Sequence, residues 1–116
     1  MPCSGSMIAA VEKAAGRCPL IIGKPSHIMF DLIKECLDLD PSTTCIVGDR
    51  METDILFGRN GGIKTCLVFS GVTLEMDYEN MKLSKLQGLK EIPKHFYEPD
   101  CTSKTLYHFV ENLLTN

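Results

Sequence analysis

The sequence predicts a parallel α/β fold, and three observations carry that expectation. Short apolar runs such as Thr44 to Val47 and Thr65 to Phe69 are rich in β-branched residues and bounded by turn formers. Between such runs lie stretches whose apolar positions recur at helical spacing. Strands that alternate with helices return to the same end of the sheet, so they pair in parallel.

The elements follow in order. Pro2 to Gly5 reads as a loop, and Ser6 can cap a helix running to about Ala15, with Ile8, Val11 and Ala15 on one face. Gly16 ends it. Leu20-Ile21-Ile22 is a short apolar run and is expected as a strand. Pro25 and Ser26 open a second helix, with Ser26 as its cap. Its apolar residues Ile28, Met29, Leu32, Ile33, Cys36 and Leu37 follow the helical period, and Asp40-Pro41-Ser42 stops it. Thr44 to Val47 is a strand, and Asp54 to Arg59 a short helix. Asn60-Gly61-Gly62 closes that helix, because Gly and Asn tolerate the left-handed geometry at a helix end. Thr65 to Phe69 is the next strand, with Ser70-Gly71 as the turn after it. Residues 74–92 are ambiguous, with short helical pieces possible; His95-Phe96-Tyr97 reads as a short strand. Ser103 is expected to cap a final amphipathic helix presenting Leu106, Phe109, Val110 and Leu113.

Bulk properties narrow the class. At 116 residues the chain is expected to form one domain, residues 1–116. With 44% apolar and 23% charged residues it has an ordinary globular composition. A net charge of −3 and the lack of a basic cluster argue against non-specific nucleic-acid binding. No apolar run approaches the roughly 20 residues of a membrane helix, and no membrane partner is expected. The six cysteines form no Cys-x-x-Cys pair, and Cys36, Cys45 and Cys66 lie in apolar runs as free thiols do. With no signal-peptide pattern before them, a reducing, cytoplasmic setting is expected.

The chemistry concentrates at element ends, where open parallel sheets bind ligands. Asp49 follows the apolar strand directly, with Gly48 allowing close backbone approach. A carboxylate placed there can hold magnesium, which takes one or two protein carboxylates together with phosphate oxygens and water. Asp54 lies in the next helical turn, where the helix dipole favours its charge, and it can face back toward Asp49. Lys24 precedes a proline, which keeps it extended and out of helix, so it can meet a phosphate as a point charge. Each residue alone has a plainer reading: Asp49 closing a turn, Asp54 decorating a helix start, Lys24 solvated. Ser26 and Thr53 are most simply caps; Arg50 could touch phosphate, but a solvated loop arginine is as good a reading.

Taken together, Gly23-Lys24-Pro25-Ser26, an amphipathic helix, and Ile46-Val47-Gly48-Asp49-Arg50 followed by Thr53-Asp54-Ile55 resemble the C-terminal core of the haloacid dehalogenase (HAD) superfamily. The resemblance is to the branch containing phosphoglycolate phosphatase, pyridoxal phosphate phosphatase and p-nitrophenyl phosphatases. Pro2 to Gly5 matches that branch's Pro-Gly-x-Gly turn with Cys3 in place of a glycine, and Leu67 to Val72 matches a following strand and turn. The resemblance implies a Rossmann-like parallel core and magnesium-dependent hydrolysis of small phosphorylated metabolites through an aspartyl-phosphate. It further implies Lys24 as the catalytic, phosphate-steadying lysine, Asp49 as the magnesium ligand, and Asp54 as an acidic support of the metal site through water or a hydrogen bond.

Parts of the family pattern are missing. Its nucleophile sits in Asp-x-Asp-Gly after an apolar strand. Asp38-Leu39-Asp40 superficially matches, but it follows a helix, precedes Pro41 and reads as a helix-to-strand loop. The Ser/Thr phosphate motif and the substrate-selecting cap domain are also missing. The chain is therefore expected to be the C-terminal portion of a HAD-like core, lacking the nucleophile strand that borders residues 44–47. An unpaired apolar strand edge invites association, so self-association or pairing with a longer homologue is expected. A non-catalytic interaction module remains an alternative. A phosphoacceptor signalling domain fits less well, because such domains place the lysine after the acidic residues.

Overall fold

The computed structural model describes residues 4–88 and 97–115. Among the described residues five helices and three strands run α1 (Ser4–Ala15), α2 (His27–Leu37), β1 (Cys45–Gly48), α3 (Leu56–Gly61), β2 (Lys64–Val68), α4 (Glu75–Leu86), β3 (Cys101–Ser103) and α5 (Leu106–Thr115). A 3₁₀ turn at Pro41–Thr43 precedes β1, and a π-turn at Met51–Ile55 leads into α3.

The strands form one parallel sheet in the order β1-β2-β3, as the alternation of elements predicts. Val47 pairs with Cys66 and Cys66 with Cys101. Side chains alternate along a strand, so Cys45, Val47, Cys66, Val68 and Cys101 share one face. Ile46, Thr65 and Leu67 share the other, and two apolar clusters draw on that face. One joins Met51, Ile55, Leu67 and Tyr78. The other joins Phe30, Phe57 and Ile63, with Ile46 packed against them. The Phe30 and Phe57 rings meet edge to face at 5.7 Å, which docks α2 on α3.

Local chemistry explains several ends. Ser26 caps α2, its hydroxyl accepting from the Ile28 N–H. Asp38 takes the left-handed cap position after α2 and Asp40 caps the 3₁₀ turn, so Asp38-Leu39-Asp40 is indeed a loop. Gly62, with φ of 69°, closes α3.

Other expectations are corrected. Ser4 and Gly5 already belong to α1, so Ser6 is not its cap. The helix expected from Asp54 starts with a π-turn at Met51, which places Thr53 inside a turn and not at a cap. Leu20-Ile21-Ile22 pairs with no strand among the described residues and is exposed, Leu20 by 76%. The apolar faces of α1 and α5 are likewise exposed, including Ile8, Val11, Leu106 and Leu113. Residues 75–86, where the sequence allows short helical pieces, form the single helix α4. Ser103 lies in β3, and Thr105 caps α5, its hydroxyl accepting from the His108 N–H. His95 and Phe96, expected in a short strand, lie outside the described residues.

The five described cysteines are free thiols. Cys36 and Cys45 are exposed, which their apolar neighbours did not suggest, whereas Cys66 is fully buried. Burial, then a hydrogen bond with the Cys101 thiol, pushes the Cys66 thiol up to about 12.

Asp100 fastens β3 to β2. Its carboxylate accepts from the Thr65 N–H at 2.9 Å and the Thr65 hydroxyl at 2.8 Å, and pairs with Lys64 at 3.2 Å. The Thr65 hydroxyl bond, with Lys64 beside it, holds this carboxyl below its ordinary value. A carboxyl lowered on folding stabilises above its unfolded pKa of roughly 3.9 and stops doing so as pH falls through the folded value. Asp100→Asn is therefore expected to cost about 1 kcal/mol at neutral pH, a modest figure because the carboxylate is partly exposed. In urea unfolding the gap from the parent chain should narrow as pH falls below about 4, the unfolded carboxyl's range. A gap that stays unchanged as pH is lowered well below about 4 would show that charge at Asp100 is not the source.

Candidate functional site

The site assembles at the carboxyl end of β1. Backbone N–H and C=O groups of β1 pair with β2 up to Gly48, so the chain turns at Asp49. Asp54, in the π-turn that follows, is buried against Gly48. A Cβ on Gly48 would fall within the Asp54 side chain, so only glycine lets the two approach.

Asp54 uses both carboxylate oxygens. Its Oδ1 pairs with Lys24 Nζ at 2.5 Å, and its Oδ2 accepts from the Arg50 N–H at 3.1 Å. Lys24 is half exposed and Asp54 is not, so the ammonium bridges a buried carboxylate and solvent. The lysine arrives from 30 residues upstream and is placed by the packing of α2. The Ser26 N–H closes a turn onto the Gly23 carbonyl at 3.0 Å, and the Asn60 amide donates to the Pro25 carbonyl at 3.0 Å. These bonds tie the lysine loop to α3. The Lys24–Pro25 peptide is cis.

Asp49 engages the loop after β2. Its Oδ2 accepts from the Val72 N–H at 2.6 Å, and its carbonyl accepts from the Thr73 N–H at 3.0 Å. Gly71 lies so close that a Cβ there would overlap the Asp49 carboxylate. Among the described residues Asp49 Oδ1 has no hydrogen-bond partner. The structure thus brings Lys24 and Asp54 into contact and sets Asp49 at the adjacent strand end. Arg50 contributes its backbone N–H to Asp54. Gly71, Val72 and Thr73 were not singled out from the sequence as partners of Asp49. The only signal for them was a Ser-Gly turn at a strand's carboxyl end.

The donors fit a hard cation in part. Asp49 offers a free oxygen, whereas both oxygens of Asp54 are already engaged by Lys24 and Arg50. Among the described residues no group of three or more His, Cys, Asp or Glu side chains converges as a complete metal cage. A site of this kind suits magnesium, which keeps waters and substrate oxygens among its ligands.

Parallel strands with polar groups gathered at their carboxyl ends define a Rossmann-type α/β core. Comparison with known proteins makes this specific. A family described as HAD-hydrolase-like matches residues 21–96, and the chain belongs to that family. Mouse (Mus musculus) chronophin is 44% identical over 96 residues, covering 83% of this chain and 32% of chronophin. Phosphoglycolate phosphatase 1A, chloroplastic, of Arabidopsis thaliana is 52% identical over 69 residues, covering 60% of this chain and 19% of that protein. Among solved structures, p-nitrophenyl phosphatase from Archaeoglobus fulgidus superimposes with a TM-score of 0.76 at 30% identity. That match covers 97% of this chain and 40% of the archaeal one. The chain spans about a third of the length of chronophin. The HAD-like fold and the kinship with phosphatases that the sequence suggested are therefore correct.

Proposed function

We propose that residues 1–116 are the lysine- and metal-bearing portion of a magnesium-dependent phosphatase core that acts on small phosphomonoesters through an aspartyl-phosphate. The Lys24–Asp54 contact beside Asp49 carries this reading. It is supported by the phosphatases among the relatives. Lys24 steadies phosphate oxygens with its ammonium, and Asp54 holds that ammonium in place from a buried position. Asp49 supplies the oxygen that would hold magnesium, and Arg50 fixes Asp54 through its backbone. Bound magnesium would neutralise phosphoryl charge.

The carboxylate nucleophile comes from another part of a complete core. Asp38 sits in the left-handed position after α2, and the Asp40 carboxylate is taken by the Ser42 N–H and hydroxyl. The five described free thiols suit a reducing, cytoplasmic setting. Phosphoglycolate phosphatase, among the relatives, suggests small phosphometabolites as substrates.

The test is inorganic phosphate binding with magnesium, followed by calorimetry, alongside p-nitrophenyl phosphate turnover. The 116-residue chain is expected to bind phosphate without turning over the ester. Lys24→Ala should weaken binding about tenfold, the loss of one charge-assisted contact. Equal binding by Lys24→Ala would remove the lysine from the site. Magnesium-dependent turnover that vanishes in Asp49→Asn would overturn the external nucleophile.

A second reading is a non-catalytic module that pairs with another chain. The exposed Leu20-Ile21-Ile22 segment and the position of β1 at the sheet edge favour it. A monodisperse monomer in sedimentation at high concentration would count against it.

A further inference from the structure

The loop after β2 touches Asp49 at two atoms, and neither contact is needed to build the sheet. The Val72 N–H donates to Asp49 Oδ2 at 2.6 Å, short for an N–H donor. The Thr73 N–H takes the Asp49 carbonyl. Gly71 stands where any larger residue would occupy the carboxylate's space. The loop is itself anchored on both sides. The Phe69 N–H donates to the Ser103 carbonyl at 3.2 Å, which fixes its start to β3. Thr73 is buried, and five residues later Tyr78 seats α4 on Met51, Ile55 and Leu67.

We infer that residues 70–73 act as a positioning element for Asp49: the Val72 N–H occupies Oδ2, Oδ1 is the oxygen left for a divalent cation, and Gly71 is the residue that permits this pose. The inference rests on the metal reading of Asp49 given above. It also carries a specificity. A carboxylate with one oxygen tied to backbone presents a single oxygen to a cation. Magnesium, small and content to keep its waters, is served by that; calcium takes more oxygens and often both of one carboxylate. The loop therefore biases the strand end toward magnesium.

Nuclear magnetic resonance titration of the intact chain with magnesium chloride, and separately calcium chloride, tests this. In the parent chain the Val72 amide proton should resonate downfield, lose that shift in Asp49→Ala, and move on magnesium addition. Gly71→Ala should weaken magnesium binding about tenfold or more, as loss of a partner that orients a metal ligand does. Its calcium affinity should hold or rise, a change of preference that plain loop destabilisation would not produce. Melting temperatures recorded in parallel show whether the variant folds. Should Gly71→Ala not fold, the Val72 shift in the parent and in Asp49→Ala decides by itself. A Val72 resonance indifferent to Asp49, or an unaltered magnesium-to-calcium preference in folded Gly71→Ala, would overturn the positioning role while leaving the metal site standing. A parent chain in which magnesium moves no resonance near Asp49 would overturn both.

Discussion

Gly48→Ala should destabilise the chain by about 3 kcal/mol and release Lys24 from its partner. The added methyl would fall among Asp54 Cβ, Cγ and Oδ2, at the root of that side chain and not at a flexible tip. Asp54 is buried and cannot swing aside without leaving its cavity. Overpacking of this kind costs about 1–3 kcal/mol. Displacing Asp54 also forfeits its bonds to Lys24 and the Arg50 N–H, and each bond to a charged group is worth about 1.5–3 kcal/mol at most. Urea unfolding should show a lower midpoint at an unchanged slope, and phosphate binding should fall to the level of Lys24→Ala. Gly5→Ala is the matched control, since a Cβ there meets nothing. A Gly48→Ala chain with the parent's midpoint and phosphate affinity would refute the close packing of β1 on Asp54.

Leu67→Ala is the second large effect. Leu67 and Ile55 are fully buried in the same cluster, between Met51 and Tyr78. Truncating a buried leucine costs about 3–5 kcal/mol, the transfer term plus the cavity. A domain of this size holds about 5–15 kcal/mol in all, so much of its stability should go. Leu86→Ala, at a residue 77% exposed, should stay within about 0.5 kcal/mol. Thermal melting of both variants checks the contrast. If Leu67→Ala matched Leu86→Ala, the cluster around Ile55 would not be the main core.

The middle of the chain was readable because its signals are local. Ser26 announces α2 by cap chemistry, and the helical period from Ile28 to Leu37 does the rest. The strands expected at Thr44 to Val47 and at Thr65 to Phe69 are found, each displaced by one residue, because β-branched runs bounded by turn formers need little context. Leu20-Ile21-Ile22 misled for the opposite reason. A strand exists only through its neighbours, and three apolar residues carry no information about a partner. α4 hid because only Tyr78 among its residues is buried, leaving almost no stripe to detect. Ser103 and Thr105 are two hydroxyls two positions apart, and only the pairing of Ser103 with Val68 decides which one is free to cap. At the site, Lys24, Asp49 and Asp54 stood out by side-chain type. Their actual partners include the backbone N–H groups of Arg50 and Val72. Every residue but proline has such a group, so no residue letter marks the ones that matter.

Asp54 and Lys24 lie on opposite sides of α2 in the chain, and they meet only when α2 docks through Phe30 on Phe57. An anion that needs both the lysine and its setting binds the docked form better than the undocked one. By linkage, saturating ligand then raises the free energy of undocking by RT ln(1 + [L]/Kd), about 2.7 kcal/mol at a hundredfold excess over Kd. Affinity for phosphate and resistance of α2 to hydrogen exchange thus become two gauges of a single equilibrium. A mutation at the Phe30–Phe57 contact, remote in sequence from every charged group of the site, would be read out as weakened ligand binding.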